Sequence, residues 1–362
     1  MGIAALSLFG CSQKKTITDD SAWLRNGIET AQFQLKMTAE AIDSKNIQDT
    51  AVFPRSILNP KPMAEKNPQN WIDSLRLEKP RDWTSGFFPG SMWLAYELTG
   101  DDTLKQEARK YTELLSDLQY YTGTHDLGFM VFCSFGNAYR LAPEAGDSAI
   151  IVNASKSLAS RYNPQKGVIR SWDFGEWTYP VIIDNMMNLE MLFWASQATQ
   201  DSTFRNIAIT HADNTMKFHY RPDMSCCHVV DYIDPTNDIT KQMTYQGYSD
   251  SSTWARGQAW GLYGYTLCFE ETNHSAYLER AQQIAKFIME NPAIPEDLIP
   301  YWDYNAPTIP DAPRDASAAA VTASALFELS TLVENGQTYF DYAEKIIKEL
   351  STPNYLAEKG TN

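Results

Sequence analysis

The feature that most constrains this chain is an alternation of two kinds of helical segment. GFFPGSMWLAYEL, GFMVFCSFGNAYRL, IDNMMNLEMLFWAS, RGQAWGLYGYTLCFEE and SAAAVTASALFELS are small, aromatic or apolar on most sides, whereas LKQEARKYTELLSDL, YLERAQQIAKFIMEN and YFDYAEKIIKELS carry charge along one side. A helix apolar all round has to be buried, and an amphipathic helix can cover it. ELTGDD, RLAPEAGD, QATQDS, EETNHS and LVENGQ each end one helix and start the next within a few residues, so the neighbours are antiparallel hairpins. An inner ring wrapped by an outer ring is an α/α barrel.

The helical period predicts segments at 21–46, 86–99, 102–120, 128–142, 146–162, 182–199, 202–219, 254–272, 275–290, 315–333 and 336–350, with almost no alternating strand pattern. A closed (α/α)6 barrel, the six-hairpin toroid, needs one helix more. The expectation is therefore an all-α, single catalytic domain over 21–362, C-terminally truncated and lacking its last inner helix. The long connections 47–85, 120–127, 163–181, 220–253 and 291–314 all precede an inner helix and so gather at one rim. Loops collected on a rigid scaffold are a usual place for a site.

Charge narrows the ligand. With 45 acidic against 30 basic residues the chain carries a formal −15, which repels nucleic acid and anionic membranes at long range. No nucleic-acid partner is expected, and an acidic ligand must be held by local cations. Aromatics make up 12 % of the chain, with 10 Trp and 19 Tyr. They serve thick helix packing, and those near the rim can also stack on sugar rings. The five cysteines show no metal-type spacing, the CCH run at 226–228 included, and no phosphate loop, dinucleotide fingerprint or nucleophile elbow is present. Neither metal nor other cofactor is expected.

The N-terminal LFGC resembles a bacterial lipobox, which makes residues 1–20 a signal remnant and tether and Cys11 the lipidated residue. That places the protein in the bacterial periplasm or on a membrane, held there only through the lipid anchor. No other segment is long and apolar enough to span a bilayer.

Two aspartates open successive inner helices. Asp126, before LGFM, has the simple reading of an N-cap. Asp184 sits between VII and MM, where a cap and a general acid are equally open, since apolar surroundings raise a carboxyl pKa. Across a barrel mouth such a pair suits glycosidic chemistry. His228 alone reads as a hydrogen-bonded loop histidine. Arg256 lies in the first turn of its helix, the unfavourable end for a cation, and calls for an anionic partner. Trp83, Trp172, Trp254 and Trp260 are packing residues or sugar platforms, and Asp82, Asp250 and Asp315 read as caps.

The runs DWTSGFFPGSMWLAYELTGD, THDLGFM, IIDNMMNLEMLFWAS and YSDSSTWARGQAWGLYG, in this order from Trp83 onward, resemble the unsaturated glucuronyl hydrolases, glycoside hydrolase family 88. The resemblance implies an (α/α)6 barrel that removes a 4,5-unsaturated uronic acid from lyase-generated oligosaccharides by hydrating its vinyl ether. It implies that Asp184 is the general acid/base and Asp126 the second essential carboxylate. It also places His228, Gln246, Arg256, Trp254, Trp260 and Trp172 against the sugar, with Trp83 and His125 as further candidate contacts. Tyr245 stands where many members carry histidine, and the final helix with its Ser- and Lys-rich loop is missing. The expected partner is an unsaturated, glycosaminoglycan-type oligosaccharide. The alternatives are an unsaturated rhamnogalacturonyl hydrolase acting on pectin fragments and a non-catalytic glycan-binding lipoprotein.

Overall fold

The helix breaks are built from a repeated local device. Gly100 and Gln200 both end a helix in the left-handed region (φ 71° and 59°), and the next residue, Asp101 or Asp201, caps the following helix by accepting from the N–H of Thr103 or Thr203. Each such cap contributes about 1 kcal/mol and turns the chain back on itself. The computed structural model describes residues 21–44, 51–57, 71–72, 75–234 and 239–360. Cys11 and the lipobox lie outside the described residues.

The helices are α1 (Ala22–Ser44), α2 (Phe87–Thr99), α3 (Asp102–Glu113), α4 (Asn137–Leu141), α5 (Asp147–Ala159), α6 (Leu189–Thr199), α7 (Ser202–Phe218), α8 (Ala255–Thr272), α9 (Ser275–Glu290), α10 (Ala316–Thr331) and α11 (Gln337–Leu350). A π-helical stretch, Gly128–Gly136, leads into α4, and a 3-10 stretch, Ile183–Asn188, leads into α6. Inner neighbours run α2, 128–141, 183–199, α8, α10, while α3, α7, α9 and α11 each back onto the inner helix that precedes them. The fold is the (α/α)6 barrel. Burial follows the sequence pattern: α8 is buried from Ala255 to Cys268 at most positions, whereas α11 buries only Ala343 and Ile346. One apolar cluster runs through the barrel from Ala39 to Ile346. Residues 351–360 fold back toward α1, where Lys359 pairs with Glu29 at 3.1 Å and Lys348 sits 5.7 Å from the Trp23 ring.

Strands are few, as the period implies, and those among the described residues form three small antiparallel sheets in the long connections. The first joins β1 (Phe53–Ile57), β2 (Trp71–Ile72) and β3 (Leu75–Glu78); the second pairs β4 (Tyr162–Asn163) with β5 (Val168–Ile169). The third sets β6 (Pro180–Ile182) beside β7 (Val229–Asp234), which pairs with β8 (Ile239–Met243). Strands of two or three residues show no usable alternation, and their partners come from distant parts of the chain, so a local period cannot reveal them.

Candidate active site

The third sheet assembles the centre. Its register sets Ile182 opposite Val229, and Ile183 N–H donates to the His228 carbonyl at 3.1 Å. Asp184, just past β6, and His228, just before β7, are thereby brought face to face, with His228 Nε2 3.6 Å from Asp184 Oδ2. Asp184 is 6 % exposed and His228 2 %. Among the described residues Asp184 caps nothing: the 3-10 stretch has no side-chain cap and Oδ2 has no hydrogen-bond partner. The capping alternative is removed for this residue.

The tautomer of His228 follows from its other nitrogen. Backbone N–H groups of Tyr245 and Gln246 point at Nδ1 at 3.1 and 3.2 Å. An atom that accepts two donors carries no hydrogen itself, so the ring's N–H is at Nε2 and faces Asp184. Gln246 thus acts on the site through its main chain; its side chain is exposed and makes no hydrogen bond among the described residues. The loop that supplies these amides is held by Asp303, fully buried, which accepts from Tyr248 N–H at 2.9 Å and the Ser252 hydroxyl at 2.7 Å. Sequence reading missed Asp303, whose role depends on a loop distant in the chain.

Asp126 also departs from the capping expectation. The residue at the start of the π-helical stretch is Leu127, with no side-chain cap. The Asp126 carboxylate accepts from the Thr124 hydroxyl at 2.7 Å and lies 3.2 Å from His125 Nε2. Burial raises its pKa above the usual carboxylate value; His125 and Thr124 pull it down, while Asp184 and Asp82 add to the rise. The charge of Asp184 therefore reaches Asp126. Their helices meet closely at Gly128, where an added Cβ would lie 2.6 Å from Asn188 Oδ1; that same oxygen accepts from Phe129 N–H at 3.1 Å. A π-helical stretch at this point widens the helix next to a functional residue, a frequent association.

Two aromatic walls flank the pair. Trp254 and Trp260 cluster with Phe129, Trp83 and Phe87, and Phe129 lies 5.5 Å from Trp83 and 5.2 Å from Trp260. On the other side Trp172 packs against Phe174, Trp177 and Tyr245 at 4.8, 5.3 and 5.4 Å. His228 stands between them, 4.9 Å from Trp254 and 6.2 Å from Trp172. Phe129, Phe174 and Trp177 belong to the walls although sequence reading did not select them; their proximity to quoted motifs was the available signal.

The anionic partner expected for Arg256 is in the chain itself: Asp315, which bonds Nη1 at 3.0 Å and also caps α10. Asp82 and Asp250 are not helix caps. Asp82 closes a turn by accepting from Thr84 N–H at 2.9 Å, and Asp250 accepts from Thr244 N–H at 2.9 Å. Cys226 and Cys227 are buried thiols pushed up by that burial, and no group of three His, Cys, Asp or Glu residues suited to a metal occurs among the described residues.

Among the described residues, six buried polar atoms of these side chains have no hydrogen-bond partner: Asp184 Oδ2, His228 Nε2, Trp172 Nε1, Trp260 Nε1, Arg256 Nε and His125 Nδ1. Buried polar groups are rarely left unpaired, and such a concentration between aromatic faces marks a site for a polar, ring-shaped ligand. An (α/α)6 barrel with two carboxylates and this lining at its mouth is built as a carbohydrate hydrolase. Scanning family models gives no match. The chain is 47 % identical over 285 residues to an unsaturated glucuronyl hydrolase of Formosa agariphila, covering 78 % of this chain and 71 % of that protein. It is 32 % identical over 286 residues to the unsaturated glucuronyl hydrolase of Bacillus sp. strain GL1, with 74 % of each covered. A crystal structure of an unsaturated glucuronyl hydrolase specific for heparin superposes with a TM-score of 0.86 at 45 % identity, covering 94 % of this chain and 87 % of that one. The protein belongs to the unsaturated glucuronyl hydrolase family and is a glycoside hydrolase.

Proposed function

We propose that this enzyme removes a 4,5-unsaturated glucuronic acid from the non-reducing end of lyase-generated glycosaminoglycan oligosaccharides. The observation that carries the reading is the β6–β7 register, which sets Asp184 against the Nε2–H of His228 in a mouth shared with Asp126. The family relationship and the heparin-specific relative support the substrate class.

In this reading Asp184 gives its proton to C4 of the unsaturated ring, leaving positive charge shared between C5 and the ring oxygen. Water adds at C5 and returns a proton to Asp184, as general acid–base catalysis requires. The hemiketal so formed opens by breaking the bond between C5 and the ring oxygen to give a ketone. The ring oxygen is then a hydroxyl on C1, and this hemiacetal expels the next sugar as an alcohol. His228 Nε2–H faces the Asp184 carboxylate and stabilises its charge while the proton is away, and Asp126 takes a sugar hydroxyl. Trp254, Trp260, Trp172 and Trp83 enclose the ring, and His125 orients Asp126.

The test is to incubate the protein with an unsaturated glycosaminoglycan disaccharide and follow the ultraviolet absorbance of its conjugated double bond. Loss of absorbance with release of the free second sugar supports the proposal. An unchanged disaccharide, with turnover of an unsaturated pectin disaccharide instead, overturns the substrate class.

A further inference from the structure

Arg256 is held in a geometry that its neighbours do not use up. The guanidinium sits 4.9 Å from the Trp254 ring, which in turn lies 4.9 Å from His228. Both oxygens of Asp315 bond the same nitrogen, Nη1, at 3.1 and 3.0 Å. Nε is buried without a partner among the described residues, and the side chain as a whole is 24 % exposed. Nη2 makes no hydrogen bond among the described residues. Arginine recognises a carboxylate best through two parallel N–H bonds. A contact confined to Nη1 fixes the group while leaving its other donors unoccupied.

Asp315 is placed to do this by its second task. It is the N-cap of α10, with Oδ1 accepting from Ala318 N–H at 2.8 Å, and it is only 8 % exposed. The capping bond fixes the carboxylate, and the carboxylate fixes the arginine across the gap between α8 and α10. It also supplies the negative charge that a cation in the first turn of α8 needs against the helix dipole.

We propose that Asp315 is a positioning residue that aims the free donors of Arg256 at the carboxylate of the unsaturated uronate, and so sets the enzyme's preference for the acid over an uncharged ester. This rests on the substrate reading above. Asp315 does not touch the substrate; it acts through Arg256.

The experiment compares KM and kcat of Asp315→Asn on the unsaturated disaccharide and on its methyl ester, in which the charge is masked. Asparagine keeps a capping oxygen and removes the charge. The expected result is a rise in KM for the acid of about tenfold, the size of one charge-assisted contact, with kcat within about twofold and KM for the ester unchanged. Asp315→Ser, which also keeps a cap, should repeat the pattern and covers the case of a poorly folding asparagine variant. In an Arg256→Met background Asp315→Asn should add nothing. Equal rises for acid and ester, or no rise for either, overturn the proposal while leaving the substrate reading intact. Wild-type protein that turns over neither compound overturns the substrate reading and this inference with it.

Discussion

Asp184 and Glu190 stand in one inner segment of the barrel, each a carboxylate in an otherwise apolar run, and the two ends of that segment treat them differently. At the mouth, Asp184 meets His228, brought by a strand from elsewhere in the chain, and keeps one oxygen without a hydrogen-bond partner among the described residues. Deeper along the segment, Glu190 lines a small cavity of about 190 Å³ with Tyr263, Thr266, Glu270, Ser324 and Glu328. Burial raises Glu190 to about 7, the nearby charges of Glu271 and Glu270 add to the rise, and a hydrogen bond from Tyr263 opposes it. One carboxylate faces a nitrogen donor and aromatic walls; the other faces acids of neighbouring inner helices. A carboxylate in an apolar run is therefore not a catalytic signature by itself, and the groups that other segments bring to it decide its role.

The comparison breaks most directly at Asp184. Asp184→Asn keeps the size and removes the proton carrier, so kcat should fall at least about a thousandfold, while Glu190→Gln leaves kcat within about twofold. Steady-state rates on the unsaturated disaccharide check both, and equal losses would erase the distinction between mouth and interior. Asp126→Asn should cost about a hundredfold in kcat/KM, because the carboxylate that takes a sugar hydroxyl becomes an amide. A smaller effect is expected for His228→Gln, about tenfold in kcat: Asp184 loses the N–H beside it but remains the acid of the reaction. If His228→Gln proved as damaging as Asp184→Asn, the histidine itself would be the proton carrier.

The smallest effect is on stability and belongs to the interior. Glu190 holds a proton more tightly folded than unfolded, so the stability linked to it is full below pH 4.5 and is lost as pH rises through about 7. Glu190→Gln is neutral throughout and escapes that loss. The variant should therefore melt a few degrees higher than the wild type at pH 8, reflecting at most about 3 kcal/mol, with the difference gone at pH 4. Calorimetric melts at the two pH values check the sign, and a variant that melts lower at pH 8 would show that Glu190 is ionised and paired.

Much of this was legible in the residues. Most of the predicted helices fall within a few residues of the observed ones, although 102–120 ends as an α-helix at Glu113 and continues as a 3-10 stretch, Ser116–Tyr120; Asp184 and His228 lie face to face, and Trp172 and Trp254 flank the histidine. What was not legible depends on contact between distant segments. Gln246 was expected beside the sugar, and its backbone amide also fixes the histidine, a contact between segments 18 residues apart that no local pattern shows. Arg256 was read as a cation in search of an anion, and the anion is Asp315 at the head of another inner helix.

The sequence by itself determined the two rings of helices, because a helical period and a cap are local properties written in a few adjacent residues. It also determined which loops would share a rim, since each long connection precedes an inner helix. Only the tertiary structure decided which carboxylate meets a histidine, which nitrogen of that histidine bears the hydrogen, and which donors of the arginine stay free. Those outcomes are set by hydrogen bonds and strand register between segments far apart in the chain, and no pattern within either segment encodes them.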